Sequence, residues 1–547
     1  MTVTIQSLAD LDSHWAVESV DPSDRKAAFD FGVNSFVAAS VGDYIELPRR
    51  DDAAGIQSVE RVAMAYEIAA MEGLPALVAP FATEDTQALR AQAQAAAYRA
   101  FELRRIIPPP LDYAQRLFAV LRLAALAYSS DRWTDLRRWL DDIETEAPTG
   151  DGEPNWDAQL LATLFECWMR LLRKRGWDDL SKVAGYIADL RSRQSDLEPE
   201  LLRAAGGNRE SVALRLVALY HWAKATEVLG VYMTMGTVKD GGDVNSVLSQ
   251  HLDSARRAAR EAGELEFELL LRWLEATARK MADNSVWRAA GRPASRQFVE
   301  RLAKSQSVLE FLPPQRVALQ EQGLLDPERR AVVVDLPTSG GKTTLAEFRM
   351  LQALNLFRDD DGWVAYVAPT RALVAQVTRR LRNDLGPLGV VVEQLSAAVD
   401  IDAFEQTMLD TEPFHVLIAT PEKLDLLIRN GQVRRPLALV VVDEAHNIED
   451  KSRGLRLELL LANIKRDRAE ANFLLLMPYV SNAQDLARWL APESGTSISL
   501  GTAAWQPNER LVGIYWTERE PSGRGDWSLR FEGLTTSART VDLKGVH

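Results

Sequence analysis

The apolar run Ala331-Val332-Val333-Val334-Asp335-Leu336 leads directly into Pro337-Thr338-Ser339-Gly340-Gly341-Lys342-Thr343. A hundred residues later a second apolar run, Leu439–Val442, closes on Asp443-Glu444-Ala445-His446. A strand that empties into a Gly-rich turn and then a helix is a narrow structural requirement. Backbone N–H groups of such a turn, from Thr338 to Gly341, face inward on an anion, and the helix N-terminus adds its positive dipole end. Lys342 is placed to neutralise the β- and γ-phosphates of a nucleotide and the Thr343 hydroxyl to ligate Mg²⁺, with Thr344 beside them. The strict eight-residue form of this turn opens with Gly, where Leu336 stands here. Asp443 is the natural second Mg²⁺ ligand, through water, and Glu444 the residue that polarises an attacking water. Read alone, Asp443-Glu444 is also what a strand ending in solvated acids looks like, and His446 is equally a packing histidine.

Two rhythms divide the 547 residues near position 300. From about 57 to 283 apolar residues recur every three or four positions, as in Leu160-Leu161-Leu164-Trp168-Leu171 and Val212-Leu216-Leu219-Trp222, which predicts amphipathic helices. Breaks fall at Pro108-Pro109-Pro110, Thr149–Gly152, Gly206-Gly207-Asn208 and Gly241-Gly242-Asp243. Asp131-Arg132-Trp133-Thr134-Asp135-Leu136 resembles Arg175-Gly176-Trp177-Asp178-Asp179-Leu180, an offset of 44 positions (131 to 175). Two such units fall short of the three or more a helical solenoid needs, so an irregular helical domain with Trp in its core remains the competing reading. In the first 56 residues only Tyr44-Ile45-Glu46-Leu47 suggests a short strand.

Beyond about 305 short apolar runs alternate with helical stretches. The runs are Ala331–Leu336, Trp363–Ala368, Val390–Leu395, His415–Ala419, Leu439–Val442 and Phe473–Met477; the helices include Thr344–Phe357, Ala372–Leu385 and Glu422–Asn430. Continuously apolar strands separated by helices predict an α/β parallel sheet covered on both faces, with ligands at the carboxyl ends of its strands. The predicted division is thus an unassigned segment 1–56, an all-helical domain 57–300, an α/β lobe 301–505 and a linker 506–547.

Composition narrows the partners. A net charge of −14 argues against a uniformly basic nucleic-acid binder but leaves room for a local basic groove. The single cysteine, Cys167, excludes an intramolecular disulfide and reads as an inert packed residue in Leu-Phe-Glu-Cys-Trp-Met. The start Met-Thr-Val-Thr-Ile-Gln has no signal-peptide character, and the apolar stretch Leu117–Tyr128 is interrupted by Arg122. A cytoplasmic chain with no membrane partner is expected.

With these residues in hand, the segment from Phe311 to Trp505 resembles the DEAD/DEAH-box, superfamily 2 helicases, especially the branch of exosome-associated RNA helicases and archaeal repair helicases. Leu312-Pro313-Pro314-Gln315 followed by Gly323-Leu324-Leu325 is similar to the family's Q motif, Pro337–Thr343 to motif I, and Ala368-Pro369-Thr370-Arg371-Ala372-Leu373 to motif Ia. Ala419-Thr420-Pro421-Glu422-Lys423-Leu424-Asp425 is similar to a later strand-binding motif, and Asp443–His446 to motif II. The resemblance implies a RecA-like lobe that hydrolyses ATP with Mg²⁺, with Gln315 sensing adenine. It also implies that Pro369, Thr370, Arg371, Thr420 and Pro421 meet the backbone of single-stranded DNA or RNA. Hydroxyls, one guanidinium and helix N-termini suit phosphate without reading bases, and the same residues are good helix starts in their own right.

Two departures qualify the resemblance. Where the family places Ser-Ala-Thr, this chain has Met477-Pro478-Tyr479, in a frame set by Asn482–Leu490. The Gln-x-x-Gly-Arg-x-x-Arg pattern of the second lobe does not occur. Loss of an arginine finger costs about 10³–10⁵ in rate, so the chain alone is expected to bind ATP-Mg weakly and turn it over slowly. The expectation is a helicase motor lobe whose second lobe is lost, cut from the sequence or supplied by another polypeptide, with a protein partner on the helical domain. A nucleotide-dependent scaffold or switch, and a truncated helicase fragment, are the competing expectations.

Overall fold

The computed structural model describes residues 13–28, 53–78, 84–131, 136, 140, 155–289, 293–336, 340–395, 413–449, 454–478, 482–499, 511–519 and 527–536. Tyr44–Leu47, the Thr149–Gly152 break, and the first copy of the weak repeat apart from Asp131 and Leu136 lie outside these residues. The chain divides into two compact units, residues 1–283 with 502–547, and residues 284–501.

The first unit is built of helices α1 (Ala53–Glu72), α2 (Glu84–Arg104), α3 (Tyr113–Ser129), α4 (Trp156–Arg173), α5 (Trp177–Ala204), α6 (Arg209–Met235), α7 (Val244–Glu261) and α8 (Leu265–Asn284). The breaks expected after 104, 204 and 235 separate these helices, and side-chain caps start several of them. Asp112 accepts from the Gln115 amide (2.9 Å), just past the three prolines, and Asp243 accepts from the Ser246 amide (2.9 Å). Tryptophans fill the interior: Trp168, Trp222 and Trp273 are fully buried, and the Trp168 indole donates to Thr226 Oγ1 (3.0 Å). Cys167 is buried beside them, and burial pushes its thiol up to about 12, as inert packing requires.

Arg122, the charge that interrupts the apolar stretch of α3, turns inward rather than out. Its guanidinium donates to Glu67 at 2.5 and 2.8 Å; Arg104 Nε donates to the same carboxylate at 2.7 Å and the Trp273 indole at 3.0 Å. One buried carboxylate therefore ties α1, α2, α3 and α8 together. Burial lowers the Arg104 pKa from its ordinary value, and Glu67 opposes that shift. Among the described residues no helix is long and apolar enough to cross a membrane.

The second unit carries a seven-stranded sheet: β1 (Ala331–Asp335), β2 (Trp363–Val367), β3 (Val392–Gln394), β4 (Val416–Ala419), β5 (Leu437–Val442), β6 (Asn472–Met477) and β7 (Gly495–Ser499). Their spatial order is β3-β4-β2-β5-β6-β1-β7, and all pairs are parallel. Six of the strands coincide with predicted runs; β7 was not among them. Helices α9 (Pro293–Ser305), α10 (Lys342–Leu356), α11 (Arg371–Leu385), α12 (Pro421–Arg429), α13 (Gly454–Asp467) and α14 (Ala483–Leu490) complete the unit. On one face Val333, Val367, Leu417, Val440, Val442 and Leu475 pack with Leu424 and Leu427 of α12, Leu460 and Ile464 of α13, and Ala487 and Leu490 of α14. Each such fully buried Val or Leu contributes about 1.5–3 kcal/mol. On α10, Phe348 meets Phe298 of α9 edge-on at 4.9 Å and Phe311 at 5.8 Å. The α/β parallel sheet and the helical N-terminal part are thus both as the sequence pattern indicates.

Beyond residue 501 the segment expected as a linker contains an antiparallel pair, β8 (Leu511–Arg519) and β9 (Trp527–Thr536), in which Ile514 faces Glu532. Leu511–Arg519 is rich in Val, Ile, Tyr, Trp and Thr, residue types that favour strands.

Candidate nucleotide and nucleic-acid site

Strands β1 and β5, which bear the two chemical motifs, are separated in the sheet by β6 alone. Their carboxyl ends lie along the same edge because every strand runs in one direction. Pro337, Thr338 and Ser339 lie outside the described residues. Gly341 occupies the N-cap of α10 at φ +74°, in the left-handed region where glycine is favoured. A Cβ there would lie 2.2 Å from Gln315 Nε2. Gln315 is buried and uses both ends of its amide: Nε2 donates to the Gly341 carbonyl (3.2 Å) and Oε1 accepts from the Leu312 amide (3.0 Å). Gln315, the residue expected to sense adenine, is therefore bonded to Gly341, 26 positions further along the chain.

Lys342 opens α10, and its ammonium donates to the Leu336 carbonyl (3.1 Å). Burial lowers its pKa, and the nearby charges of Glu444, Asp443 and Asp335 pull it back up. This field brings motif I and motif II together electrostatically, and it adds Asp335, the last residue of β1, which the sequence reading took only as part of a strand. Thr343 follows Lys342 in the first turn of α10, half-buried. The Thr344 hydroxyl accepts from Arg380 of α11 (3.4 Å).

The acid pair is held with strain. Glu444 has φ +49°, unusual for a residue with a side chain. Its amide donates to Asp443 Oδ1 (3.0 Å), and its carbonyl accepts from the Asn447 backbone amide (3.0 Å) and side-chain amide (2.8 Å). His446 Nδ1 lies 3.3 Å from Glu444 Oε2. Asp443 Oδ2 accepts from the hydroxyl of Tyr366 on β2 (2.9 Å). Burial, then the Asp443 charge, raises the Tyr366 pKa well above its ordinary value, so the phenol keeps its proton.

Between the two motifs, β6 ends at the buried Met477, whose carbonyl accepts from the Leu336 amide (3.2 Å), and continues into Pro478. The third residue of that triplet, Tyr479, lies outside the described residues. The Met477 side chain belongs to the apolar core of the sheet.

The other candidate set lies on the adjacent strands β2 and β4, joined by a bond from the Ala368 amide to the Ala419 carbonyl (3.0 Å). Thr370 caps α11, accepting from the Leu373 amide (3.4 Å), and Thr370 and Arg371 are exposed. Thr420 stands at the N-cap of α12 in extended backbone without bonding the helix through its side chain, and Pro421 takes the first helical position. Pro369, preceding Thr370, is half-buried. Two helix N-termini thus emerge side by side at one sheet edge, an arrangement suited to anionic backbone.

The residues present fit a magnesium nucleotide. A threonine hydroxyl and a carboxylate are hard oxygen donors, as Mg²⁺ prefers, and the Lys342 ammonium adds a positive charge at the start of α10. Tyr366 escaped sequence reasoning; the signal available was a hydroxyl inside an otherwise apolar strand, one position before the residue that pairs beside Val442.

Residues 313–477 match the DEAD/DEAH box helicase family. The ATP-dependent DNA helicase Hel308 of Methanocella arvoryzae is 31% identical over 212 residues, covering 38% of this chain and 26% of the relative. Hel308 of Thermococcus kodakarensis is 31% identical over 218 residues, covering 40% and 18%. The chain therefore spans roughly a quarter or less of the length of these relatives. A solved structure of the DUF1998 helicase MrfA bound to DNA and AMPPNP aligns with a TM-score of 0.30 at 18% identity, over 39% of this chain and 29% of that one. The motifs, the sheet that displays them and the family match together identify residues 313–477 as a DEAD/DEAH box helicase domain.

Proposed function

We propose that the α/β lobe, residues 301–505, binds and hydrolyses ATP as one motor lobe of a nucleic-acid helicase. Lys342, with the turn Thr338-Ser339-Gly340-Gly341 and Thr344, holds the phosphates, and Gln315 braces the turn from behind. Thr343 and Asp443 would hold Mg²⁺, which when bound supplies charge neutralisation on the phosphate oxygens. Glu444 accepts a hydrogen bond from the attacking water and orients it in line. Pro369, Thr370, Arg371, Thr420 and Pro421 grip the sugar-phosphate backbone of a single strand at the neighbouring sheet edge. The observation that carries this reading is the placement of Lys342 and of Asp443-Glu444 after the carboxyl ends of β1 and β5, two parallel strands with only β6 between them in the sheet.

The lobe acts with a second RecA-like lobe, in the same or another polypeptide, that contributes arginines against the γ-phosphate. Without it, residues 1–547 turn ATP over slowly. The helical unit is the proposed contact for a protein partner. A second reading, a nucleotide-dependent switch without unwinding, is favoured by one observation: Met477 stands where the family places the serine of Ser-Ala-Thr.

Titration of the purified chain with a fluorescent ATP analogue tests the proposal. The wild type should bind in the presence of Mg²⁺, and Lys342→Ala should weaken that binding at least about tenfold, the loss of one charge-assisted contact. Unchanged affinity in Lys342→Ala removes the phosphate site and the motor reading with it. Stimulation of ATP hydrolysis by single-stranded nucleic acid after a second lobe is added separates the motor from the switch.

A further inference from the structure

Tyr366 sits in the middle of a run, Trp363–Ala368, whose other members are apolar and buried. Its ring is completely buried, which is costly for a hydroxyl unless that hydroxyl has a partner. The partner is the carboxylate of Asp443, reached from the neighbouring strand: Tyr366 pairs with Val441, and the Asp443 amide bonds back to the Val367 carbonyl (2.9 Å). The backbone on both sides is thus fixed by the sheet ladder, so the separation of the phenol and the carboxylate is set by β2 and β5 rather than by a loop.

Each Asp443 oxygen is engaged by a different donor. Oδ1 accepts from the Glu444 amide (3.0 Å) and Oδ2 from the Tyr366 hydroxyl (2.9 Å). A carboxylate at a strand end, with a left-handed residue following it, otherwise rotates freely about its terminal bond. Two donors on opposite oxygens fix the plane of the group and leave the outward lone pairs of each oxygen available to a hydrated cation. Tyr366 faces the side of the sheet that carries α10 and α11, where Glu347 and Arg380 also act on it.

We propose that Tyr366 is a positioning residue for magnesium, its hydroxyl orienting the Asp443 carboxylate so that the metal-bearing nucleotide is preferred over the free one. This inference rests on the nucleotide-binding reading above and adds to it a residue outside every motif that the sequence displays. Tyr366 touches neither nucleotide nor metal; it acts through Asp443.

The test measures nucleotide binding to the full chain by fluorescence at a series of Mg²⁺ concentrations and in excess EDTA. Tyr366→Phe removes one oxygen and keeps the ring. It should raise the Mg²⁺ concentration for half-maximal binding about tenfold, the effect of one hydrogen bond to a charged group. Affinity in EDTA should stay at the wild-type value. In an Asp443→Asn background the same substitution should leave the Mg²⁺ midpoint where Asp443→Asn alone puts it. A Tyr366→Phe chain that unfolds at lower temperature but keeps the wild-type Mg²⁺ midpoint overturns the proposal, because the hydroxyl then serves packing only. If the wild type binds no nucleotide under any condition, the nucleotide reading itself falls, and the two failures are told apart.

Discussion

Glu347 lies on α10, four residues past Thr343, with its side chain fully buried. Arg380 Nε is 3.4 Å from Oε1 and also lies 3.5 Å from Asp384. One guanidinium shared between two carboxyls does not offset the loss of water. Burial pushes the Glu347 carboxyl up from 4.5 to about 8, Asp384 adding to the rise and Arg380 opposing it. At neutral pH the folded protein therefore holds a proton that the unfolded chain has released. A raised folded value means the group costs nothing below about 4.5, and the penalty grows as pH climbs until the folded group ionises near 8. At about 1.4 kcal/mol per pH unit, the cost is about 1 kcal/mol at pH 5, about 3 kcal/mol at pH 7 and about 4 kcal/mol at pH 8. Glu347→Gln keeps the shape, is neutral in both states and removes this cost. For a unit of this size about 3 kcal/mol corresponds to a rise in melting temperature of about 6–12 °C at pH 7, against about 2–4 °C at pH 5. Calorimetry of wild type and variant across pH 5–8 reads the difference directly, and changes common to both chains cancel. Glu347→Gln destabilising the protein, and more so as pH rises, would refute the reasoning: Glu347 would then be ionised and its pairing with Arg380 would dominate.

Two further substitutions probe the framework. Gly341→Ala forces a side chain into a left-handed backbone and against Gln315, costing about 1–2 kcal/mol from backbone alone plus about 1 kcal/mol for each Gln315 bond broken. It should weaken nucleotide binding more than tenfold, and wild-type affinity would show that the turn has another conformation. Glu67→Ala strands the buried guanidiniums of Arg104 and Arg122 in the first unit and should lower its unfolding free energy by about 3–5 kcal/mol, measured by denaturant titration; a loss below about 1 kcal/mol would mean that water replaces the carboxylate.

Strands β1, β2, β4, β5 and β6 were legible because each is a largely apolar run buried on both faces, a pattern that survives without any knowledge of neighbours. Edge strand β7 was not. Gly495-Thr496-Ser497-Ile498-Ser499 buries only Ile498 fully, and its membership of the sheet comes from pairing with β1, more than 150 positions earlier. The hairpin β8–β9 was missed for a related reason: its regularity is a matter of cross-strand partners, not of position along the chain.

Lys342, Asp443 and Glu444 could be named from the chain because strand-turn-helix chemistry is local: a few adjacent residues fix where a lysine and an acid end up relative to their own strand. What no stretch of sequence could specify is which distant groups share their space. Gln315 clasping Gly341, Tyr366 holding Asp443, and Glu67 gathering two arginines and a tryptophan are contacts between residues 26 to 206 positions apart. Order along the chain decided which polar groups follow which strand, and the packing of strands and helices decided their orientation and surroundings, since hydrogen bonding and desolvation depend on neighbours in space.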